Sequence, residues 1–357
     1  GTYLVTLTVT TNNGCSNSFA RYYTVTGFAS AIQYSISKED SLCSQSLVKL
    51  TNNAIITQDS IYKIDIYWDF ANNPTVFETD NTPTQNEQYT HQYNVFTTPQ
   101  SKTYTIKWIV YSKGGCVSVK TRTITLYAKP TTTFAVLASK CVNASLISVA
   151  NGSVTNGLSG TSYYYGTGTD ALGNFNPANG VLGLNTVYYV FESNKGCRDT
   201  VSQTIKIWPK PTAKFGYERN VCLGDSIKLS DSSSVNISQW NWDFGDATNA
   251  IKTNNTPFFK NYGNANSYTV KLVAISDSSC ISDTFSLPVT VYPKPVSTFS
   301  ISSLRCADSL ITITPTSSFA NGTIQSWYYN FGNSQSTAVN NNNPVTTNYT
   351  SANSYTI

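Results

Sequence analysis

The sequence contains no methionine, one histidine and few charged residues, which make up 12% of its 357 positions. Its 23 Lys and Arg residues are scattered and barely outnumber its 19 Asp and Glu residues, which excludes a basic surface of the kind that binds nucleic acid. No apolar run approaches the roughly 18 residues of a membrane-spanning helix, so no membrane insertion is expected. The histidine, His91, lies in the polar stretch EQYTHQYNVF and is predicted to be a solvated surface residue. No P-loop, G-x-S-x-G or zinc-helix motif occurs, so we expect no catalytic residues and no enzyme.

Thr, Ser, Asn and Tyr are abundant instead, a polar and β-prone composition that favours an extracellular all-β protein. Because methionine is absent, we expect the chain to be a fragment of a longer product. Any secretion signal or anchor would then lie outside it.

A strand pattern ending in a turn and a cysteine recurs along the chain. GTYLVTLTVTTNNGC ends at Cys15, KTYTIKWIVYSKGGC at Cys116 and NSYTVKLVAISDSSC at Cys280, each with a tyrosine twelve residues earlier. A looser copy, NTVYYVFESNKGC, ends at Cys197. Polar residues alternate with apolar ones in the first two copies, which predicts strands with one buried face.

A second cysteine opens each repeat, just before another alternating strand: Cys43, Cys141, Cys222 and Cys306. The segments YAKPT, WPKPT and YPKPV separate the repeats, and their prolines predict short, stiff junctions outside the sheets. The expected organisation is the end of module 1 (1–27), module 2 (28–130), module 3 (131–211), module 4 (212–295) and the beginning of module 5 (296–357). Modules of this length with six or seven short strands predict tandem immunoglobulin-like β-sandwiches arranged head to tail.

The segment WDFGDA (242–247) aligns with WDFANN (68–73) and YNFGNS (329–334). Asp243 and Asp246 are therefore replaced by amides in one sister module, at Asn330 and Asn333. Acid–base catalysis needs a titratable group, whereas a turn needs only a short side chain that bonds nearby backbone. The pattern predicts a buried aromatic strand that ends in a tight turn.

These motifs resemble the PKD domain, an immunoglobulin-like sandwich with a WDFGDG-like strand followed by a G-x-Y-x-V-x-L-x-V strand. Module 3 departs from the pattern, since SYYYGTGTD (162–170) replaces the Trp-Asp-Phe strand. The early and late cysteines resemble repeats of very large surface proteins of the Bacteroidota, including type IX secreted adhesins that serve gliding motility. Some PKD-like modules bind calcium, so Asp231, Asp243 and Asp246 are candidate calcium ligands in module 4; no other cofactor is expected.

Eight cysteines without a C-x-x-C motif predict disulfides in an oxidising exterior. Pairing within modules would join Cys43 with Cys116, Cys141 with Cys197 and Cys222 with Cys280. In an immunoglobulin-like order, however, the early and late cysteines lie at opposite ends of a sandwich, beyond the roughly 7 Å that a disulfide allows. Pairing across junctions would join Cys43 with Cys197 and Cys141 with Cys280. Both schemes, and free thiols, stay open at this point.

Asp-Ser/Thr-aliphatic triplets recur at positions that are O-glycosylated in the Bacteroidota proteins which this sequence resembles. The candidate glycan sites are Ser41, Ser60, Thr200, Ser226 and Ser309. Polar turns that enter strands are the alternative interpretation. Among the tyrosines, most of which should be core residues, Tyr163, Tyr164 and Tyr165 are candidates for surface binding, because consecutive strand residues face opposite sides.

The resemblance implies a structural stalk in a filamentous cell-surface adhesin, which spans distance and bears load in attachment or gliding. Its expected partners are further repeats of the same chain, the outer-membrane secretion or motility machinery, and a polysaccharide or solid surface. The alternative is a spacer in a secreted polymer-degrading enzyme.

Overall fold

The computed structural model describes residues 1–25, 33–38, 42–56, 59–303, 306–320 and 322–357. Within those ranges the chain is built from β-strands, with a short 3₁₀ helix at Pro177–Asn179 and no α-helix. It divides into two compact units, Gly1–Ile207 and Trp208–Ile357. This division falls four residues before the predicted end of module 3, and the module limits themselves stay a prediction.

Module 1 contributes a hairpin of two strands, β1 (Thr2–Thr10) and β2 (Ser16–Thr24), paired antiparallel. The strands are where the alternating pattern predicts them, but their side chains are exposed on both faces, including 61% of Tyr3 and 66% of Leu7. The buried face predicted for this copy needs a second sheet, and it stays a prediction. A two-stranded hairpin has no second sheet to pack against, and none lies over it among the described residues.

Module 2 is a sandwich of two sheets. Its strands are β3 (Tyr34–Ile36), β4 (Val48–Asn52), β5 (Ile61–Tyr67), β6 (Glu78–Asp80), β7 (Gln88–His91), β8 (Ser101–Ser112) and β9 (Val117–Tyr127). The orders are β3-β4-β7 and β6-β5-β8-β9. The core lies between them, and Ile106, Trp108 and Val110 of β8 are buried in it, as the alternation predicts.

Module 3 has one four-stranded sheet and two small two-stranded sheets, and several of its strands are only two or three residues long. They are β10 (Thr132–Phe134), β11 (Lys140–Cys141), β12 (Ile147–Ser148), β13 (Gly152–Val154), β14 (Gly160–Tyr165), β15 (Asn174–Phe175), β16 (Gly183–Ser193) and β17 (Arg198–Trp208). The sheets are β10-β13, β12-β15 and β11-β17-β16-β14. Tyr164 of β14 packs in the core with Phe175 and Tyr189, so this strand takes the place of the Trp-Asp-Phe strand.

Module 4 is the most regular sandwich. Its strands are β18 (Phe215–Tyr217), β19 (Val221–Cys222), β20 (Ser226–Asp231), β21 (Ile237–Asp243), β22 (Asn249–Lys252), β23 (Phe258–Asn261), β24 (Ser267–Ser276) and β25 (Phe285–Tyr292). The orders are β18-β20-β23 and β19-β25-β24-β21-β22. Trp240 and Trp242 of β21 are buried in the core with Leu272 of the adjacent β24.

Module 5 has strands β26 (Phe299–Ile301), β27 (Leu310–Pro315), β28 (Trp327–Asn330), β29 (Ser336–Val339) and β30 (Val345–Asn348). They form the sheets β26-β27-β30 and β28-β29 around a small core of Ile313, Tyr329, Phe331 and Tyr349. The chain is therefore an all-β series of tandem immunoglobulin-like sandwich modules.

Candidate functional site at a module junction

The WDFGDA segment of module 4 ends β21 in a tight turn, and its two aspartates bond the turn backbone. Gly245 N donates to Asp243 Oδ1 at 2.9 Å, and Thr248 N donates to Asp246 Oδ1 at 3.1 Å. Gly245 has a φ of +76°, and a Cβ there would lie 2.7 Å from the carbonyl oxygen of Thr269. The turn therefore needs both short acceptor side chains and a glycine.

Module 5 builds the same turn with amides. Gly332 N donates to Asn330 Oδ1 at 3.0 Å, and Gln335 N donates to Asn333 Oδ1 at 3.0 Å. The donating N–H is two residues further along the chain in every case, so an amide oxygen accepts the same hydrogen bond as a carboxylate oxygen. The negative charges of module 4 are not required for the turn, and nothing in this geometry makes them an acid–base pair.

The aspartates proposed as calcium ligands do not form an oxygen cage. The backbone N–H and hydroxyl of Ser233 donate to Asp231 Oδ1 at 3.1 and 2.6 Å. The ammonium of Lys260 lies 2.7 Å from Asp246 Oδ2, where a cation would have to bind. Among the described residues, no group of three or more His, Cys, Asp or Glu is placed to hold a metal. The residues therefore do not fit a calcium ion.

Three modules share a packed tyrosine pair that the sequence analysis missed. Its members, with ring centroids 4.0 to 4.1 Å apart, are Tyr93–Tyr104, Tyr262–Tyr268 and Tyr349–Tyr355. The first hydroxyl of each pair donates to a carbonyl near the end of the aromatic strand: Trp68 at 2.6 Å, Phe244 at 3.0 Å and Phe331 at 2.8 Å. Burial raises the pKa of Tyr262, so its hydroxyl stays a donor. The six-residue spacing in modules 4 and 5 was a usable signal, but it lengthens to eleven in module 2.

His91 is not the solvated residue that its polar flanks predict. It is half-buried in β7, with its ring 4.9 Å from that of Trp68 and 4.6 Å from that of Tyr93. Burial lowers the pKa of His91, and the carboxylate of Glu78 opposes that shift. The prediction failed because in a strand only every second residue needs to be apolar.

The linker between modules 2 and 3 is short and well packed. Four residues, 128–131, separate β9 from β10, and both Ala128 and Pro130 are buried. Ala128 N donates to Gln100 O at 2.9 Å, and Lys129 N donates to Phe96 O at 2.9 Å. The predicted proline junction thus has its backbone bonded to module 2, which leaves little freedom for bending.

A disulfide joins the two modules at this junction. Cys43 and Cys197 are bonded with an S–S distance of 2.07 Å and a Cα–Cα distance of 5.5 Å. Cys43 lies between β3 and β4 and bridges Tyr127 at the end of β9. Cys197 lies in the β16–β17 turn, where Ser193 N donates to its carbonyl oxygen at 2.8 Å. The structure thus forms the pair across the junction and forms neither Cys43 with Cys116 nor Cys141 with Cys197.

The other cysteines occupy the same two kinds of position. Cys15, Cys222 and Cys306 are exposed free thiols, so the alternative pair of Cys222 with Cys280 is not formed. Cys141 and Cys280 are each disulfide-bonded. Their pairing with one another, which would join the two compact units, stays a prediction.

Side-chain hydrogen bonds reinforce the disulfide. Asn156 of module 3 donates through Nδ2 to Lys129 O at 2.8 Å and to Thr97 O at 3.1 Å. Gln45 Nε2 of module 2 donates to Arg198 O at 3.1 Å, beside the disulfide. Leu158 packs against the cores of both modules. The junction therefore combines a covalent bond, hydrogen bonds from both partners and a shared apolar contact.

An ion pair completes the junction. Lys129 Nζ lies 3.2 Å from Asp199 Oδ1, and the N–H and hydroxyl of Thr132 donate to Asp199 Oδ2 at 3.1 and 2.8 Å. Burial by itself would raise the pKa of Asp199, but Thr132 and Lys129 together hold it below its ordinary value. The carboxylate is therefore charged and fully bonded between linker and sheet.

The remaining candidate residues differ in accessibility. Ser60, Thr200 and Ser226 are exposed, Ser309 is half-buried, and Ser41 lies outside the described residues. O-glycosylation of these residues stays a prediction. In β14, Tyr164 points into the core, whereas Tyr163 and Tyr165 face outward.

Comparison with known proteins identifies one module. A family model described as "PKD domain" matches residues 208–291, which include all but the last four residues of module 4. No curated protein matches the chain. No described helix is long and apolar enough to cross a membrane.

Three solved structures illustrate which known proteins this chain is similar to. The PKD1 domain of the Vibrio cholerae metalloprotease PrtV is 26% identical and covers 23% of this chain and 96% of its own, with a TM-score of 0.20. A tetra-tandem repeat from the extending region of a large adhesion protein is 14% identical over 82% of this chain and 81% of its own, with a TM-score of 0.31. A Ca2+-stabilized adhesin that helps an Antarctic bacterium bind ice is 10% identical over 82% of each chain, also at 0.31. TM-scores this low support no inference about function. The chain is thus a series of immunoglobulin-like modules with a PKD domain match at residues 208–291.

Proposed function

We propose that this chain is part of the stalk of a filamentous cell-surface adhesin, exposed outside the cell. Its work is to span distance and bear load during surface attachment or gliding motility. Its partners are further repeats of the same chain and the outer-membrane secretion or motility machinery. The chain itself is not catalytic in this proposal.

The observation that carries the proposal is the junction between modules 2 and 3. A spacer that only keeps two domains apart needs no rigid joint, because a flexible linker also separates them, although over a shorter distance for its length. Here the linker is four residues long, an ion pair and hydrogen bonds hold it, and a disulfide closes it. These features resist bending, which is what a rod under load requires.

The disulfide also changes the path of a pulling force. Cys43 and Cys197 are 154 residues apart, so they enclose most of modules 2 and 3. Tension along the chain passes from one cysteine to the other through the covalent bond. The residues between them cannot extend, even when a module unfolds. A load-bearing repeat gains from this arrangement, because unfolding of the enclosed residues does not lengthen the chain.

Electron microscopy of the intact parent protein released from cells, paired with its denatured mass, tests the proposal. We expect a rod hundreds of ångströms long and a mass that corresponds to dozens of modules. A short string that ends in one large globular head would contradict the stalk. It would favour the spacer of a secreted polymer-degrading enzyme, a role that the PKD domain match also allows.

A further inference from the structure

Asn156, which holds the junction between modules 2 and 3, is followed in the chain by a glycine. An Asn-Gly pair is especially prone to deamidation, because glycine has no Cβ to shield its backbone nitrogen from the asparagine side chain. The sequence contains five such pairs, which begin at Asn13, Asn151, Asn156, Asn179 and Asn321. Asn321 lies outside the described residues, so the other four pairs can be compared.

Among these four pairs, only the one at Asn156 has a glycine nitrogen without a hydrogen bond. In the other three the glycine N–H donates over 3.0 to 3.2 Å, to the acceptors Thr11 O, Tyr164 Oη and Pro177 O. Gly157 N donates no hydrogen bond within the described ranges. A Cβ added to Gly157 would meet no atom within 4 Å. The nitrogen that would attack is therefore both unbonded and uncrowded at this pair.

The side chain of Asn156, by contrast, is held by three hydrogen bonds while the junction is closed. Its Nδ2 donates to Lys129 O at 2.8 Å and to Thr97 O at 3.1 Å. Its Oδ1 accepts from Thr131 N at 3.3 Å. Deamidation requires the side chain to turn until Cγ meets Gly157 N, and these bonds oppose that rotation. Because all three partners belong to module 2 or to the linker, opening of the junction would release the side chain.

The reaction itself needs only water. Gly157 N loses its proton and bonds to Cγ of Asn156, and the Cγ–Nδ2 bond breaks with release of ammonia. Water then opens the cyclic imide at either of its carbonyl groups, which leaves aspartate or isoaspartate at position 156. The net reaction consumes one water molecule, releases one ammonia molecule and exchanges an amide for a carboxylic acid, which ionises at neutral pH.

The product cannot restore the hydrogen bonds of the junction. Nδ2 donates two of them, whereas a carboxylate only accepts, so an oxygen would face the carbonyls of Lys129 and Thr97 instead. An isoaspartate would also add one carbon to the main chain between β13 and β14. We propose that Asn156 is a modification site, which deamidates when the junction opens and then keeps the junction from closing again. This proposal does not depend on whether the chain is a stalk.

Tandem mass spectrometry of the full chain, kept at pH 8 without reductant, tests whether the junction controls the reaction. It assigns each deamidation to its position, in the wild type and in the variant Cys43→Ser/Cys197→Ser. A reaction that passes through a locally opened state follows the population of that state, so we expect deamidation at Asn156 to be roughly threefold faster or more in the variant. The rates at Asn151 and Asn179, which lie in the same module, should not change.

Two results of this experiment would overturn the proposal. Equal rates at Asn156 in the two proteins would show that the closed junction does not protect its side chain. Equal acceleration at Asn151, Asn156 and Asn179 would show that module 3 unfolds as a whole, so that opening of the junction has no separate effect.

The variant Asn156→Asp reproduces one product and tests its consequence. Cys43 and Cys197 are only 5% and 0% exposed, so dithiothreitol reaches their disulfide when the junction opens. Alkylation of the two thiols follows the reduction, which we expect to be roughly threefold faster or more in Asn156→Asp. Asn179→Asp is the matched control, because it changes an exposed asparagine of another Asn-Gly pair in module 3, and it should reduce at the wild-type rate.

A circular dichroism spectrum that matches the wild type shows that each variant is folded. Equal reduction rates in Asn156→Asp and the wild type would overturn the proposal, because the product would then leave the junction closed. Equal acceleration by Asn179→Asp would overturn it as well, because the effect would not belong to the junction. The deamidation rates are measured without Asn156→Asp, so they test the proposal even if this variant does not fold.

Discussion

Replacement of both Cys43 and Cys197 by serine should lower the thermal stability of module 2 by a large and calculable amount. The disulfide closes a loop of 154 residues. Chain-entropy arguments assign about 5 kcal/mol to a loop of that size and about 3 kcal/mol to one of 15 residues. Measured effects are commonly smaller, so we expect a loss of about 2 to 4 kcal/mol. For a module of about 100 residues this corresponds to a fall in Tm of roughly 10 °C or more.

Tryptophan fluorescence under non-reducing conditions measures this change, because Trp68 and Trp108 are buried in the core of module 2. The double variant Cys222→Ser/Cys306→Ser is the matched control. It removes two exposed free thiols and should leave the transition where it is. If Cys43→Ser/Cys197→Ser melts with the wild type, the disulfide does not stabilise the junction and the reasoning is refuted.

Three smaller effects should follow. Folding lowers the pKa of His91 from its ordinary value of about 6.5. The stability that neutral His91 allows is therefore complete above that pH, and it is lost as the pH falls through the folded-state pKa. Urea midpoints should therefore fall between pH 8 and pH 5.5 more in the wild type than in His91→Gln, and parallel curves would contradict this. Tyr262→Phe should lower the free energy of unfolding by about 1 kcal/mol in denaturant, because the carbonyl of Phe244 loses its hydrogen-bond donor. An unchanged free energy would show that this hydrogen bond does not stabilise the fold. Asp246→Asn should lower the free energy of unfolding by less than about 1 kcal/mol, because the acceptor of the turn hydrogen bond is kept. Asp246→Ala should lower it more. The reverse order would mean that the charge stabilises the module more than the turn hydrogen bond does.

Alternation and repetition predicted most of the fold. The strands that lead to Cys15, Cys116 and Cys280 are present, because apolar residues at every second position of a Tyr- and Val-rich segment are typical of a strand. Comparison of the modules also explained the WDFGDA turn before its geometry was known. Burial was harder to predict than strand position. His91 shows this, because a histidine in a polar stretch is half-buried between Trp68 and Tyr93, contacts that its local sequence does not encode.

Long-range contacts were the least predictable feature. Topology favoured Cys43 with Cys197 over Cys43 with Cys116, but it could not decide between them. Asn156 gave no sequence signal at all, although it bonds two carbonyls across the junction. Its role depends on how module 3 is oriented against module 2. That orientation sets the distance from Asn156 to the two carbonyls, and residue spacing in the sequence does not predict it.

The measurement that tests the load-bearing account most directly is single-molecule stretching of the full chain by its ends, with and without reductant. The account predicts that the oxidised chain releases less contour length, because the 154-residue span between Cys43 and Cys197 is closed off. Fully extended, that span corresponds to roughly 500 Å. Reductant, which opens this disulfide and the bonds of Cys141 and Cys280, should restore about that length. Equal contour lengths in the oxidised and reduced chains would contradict the claim that tension bypasses the modules through the disulfide.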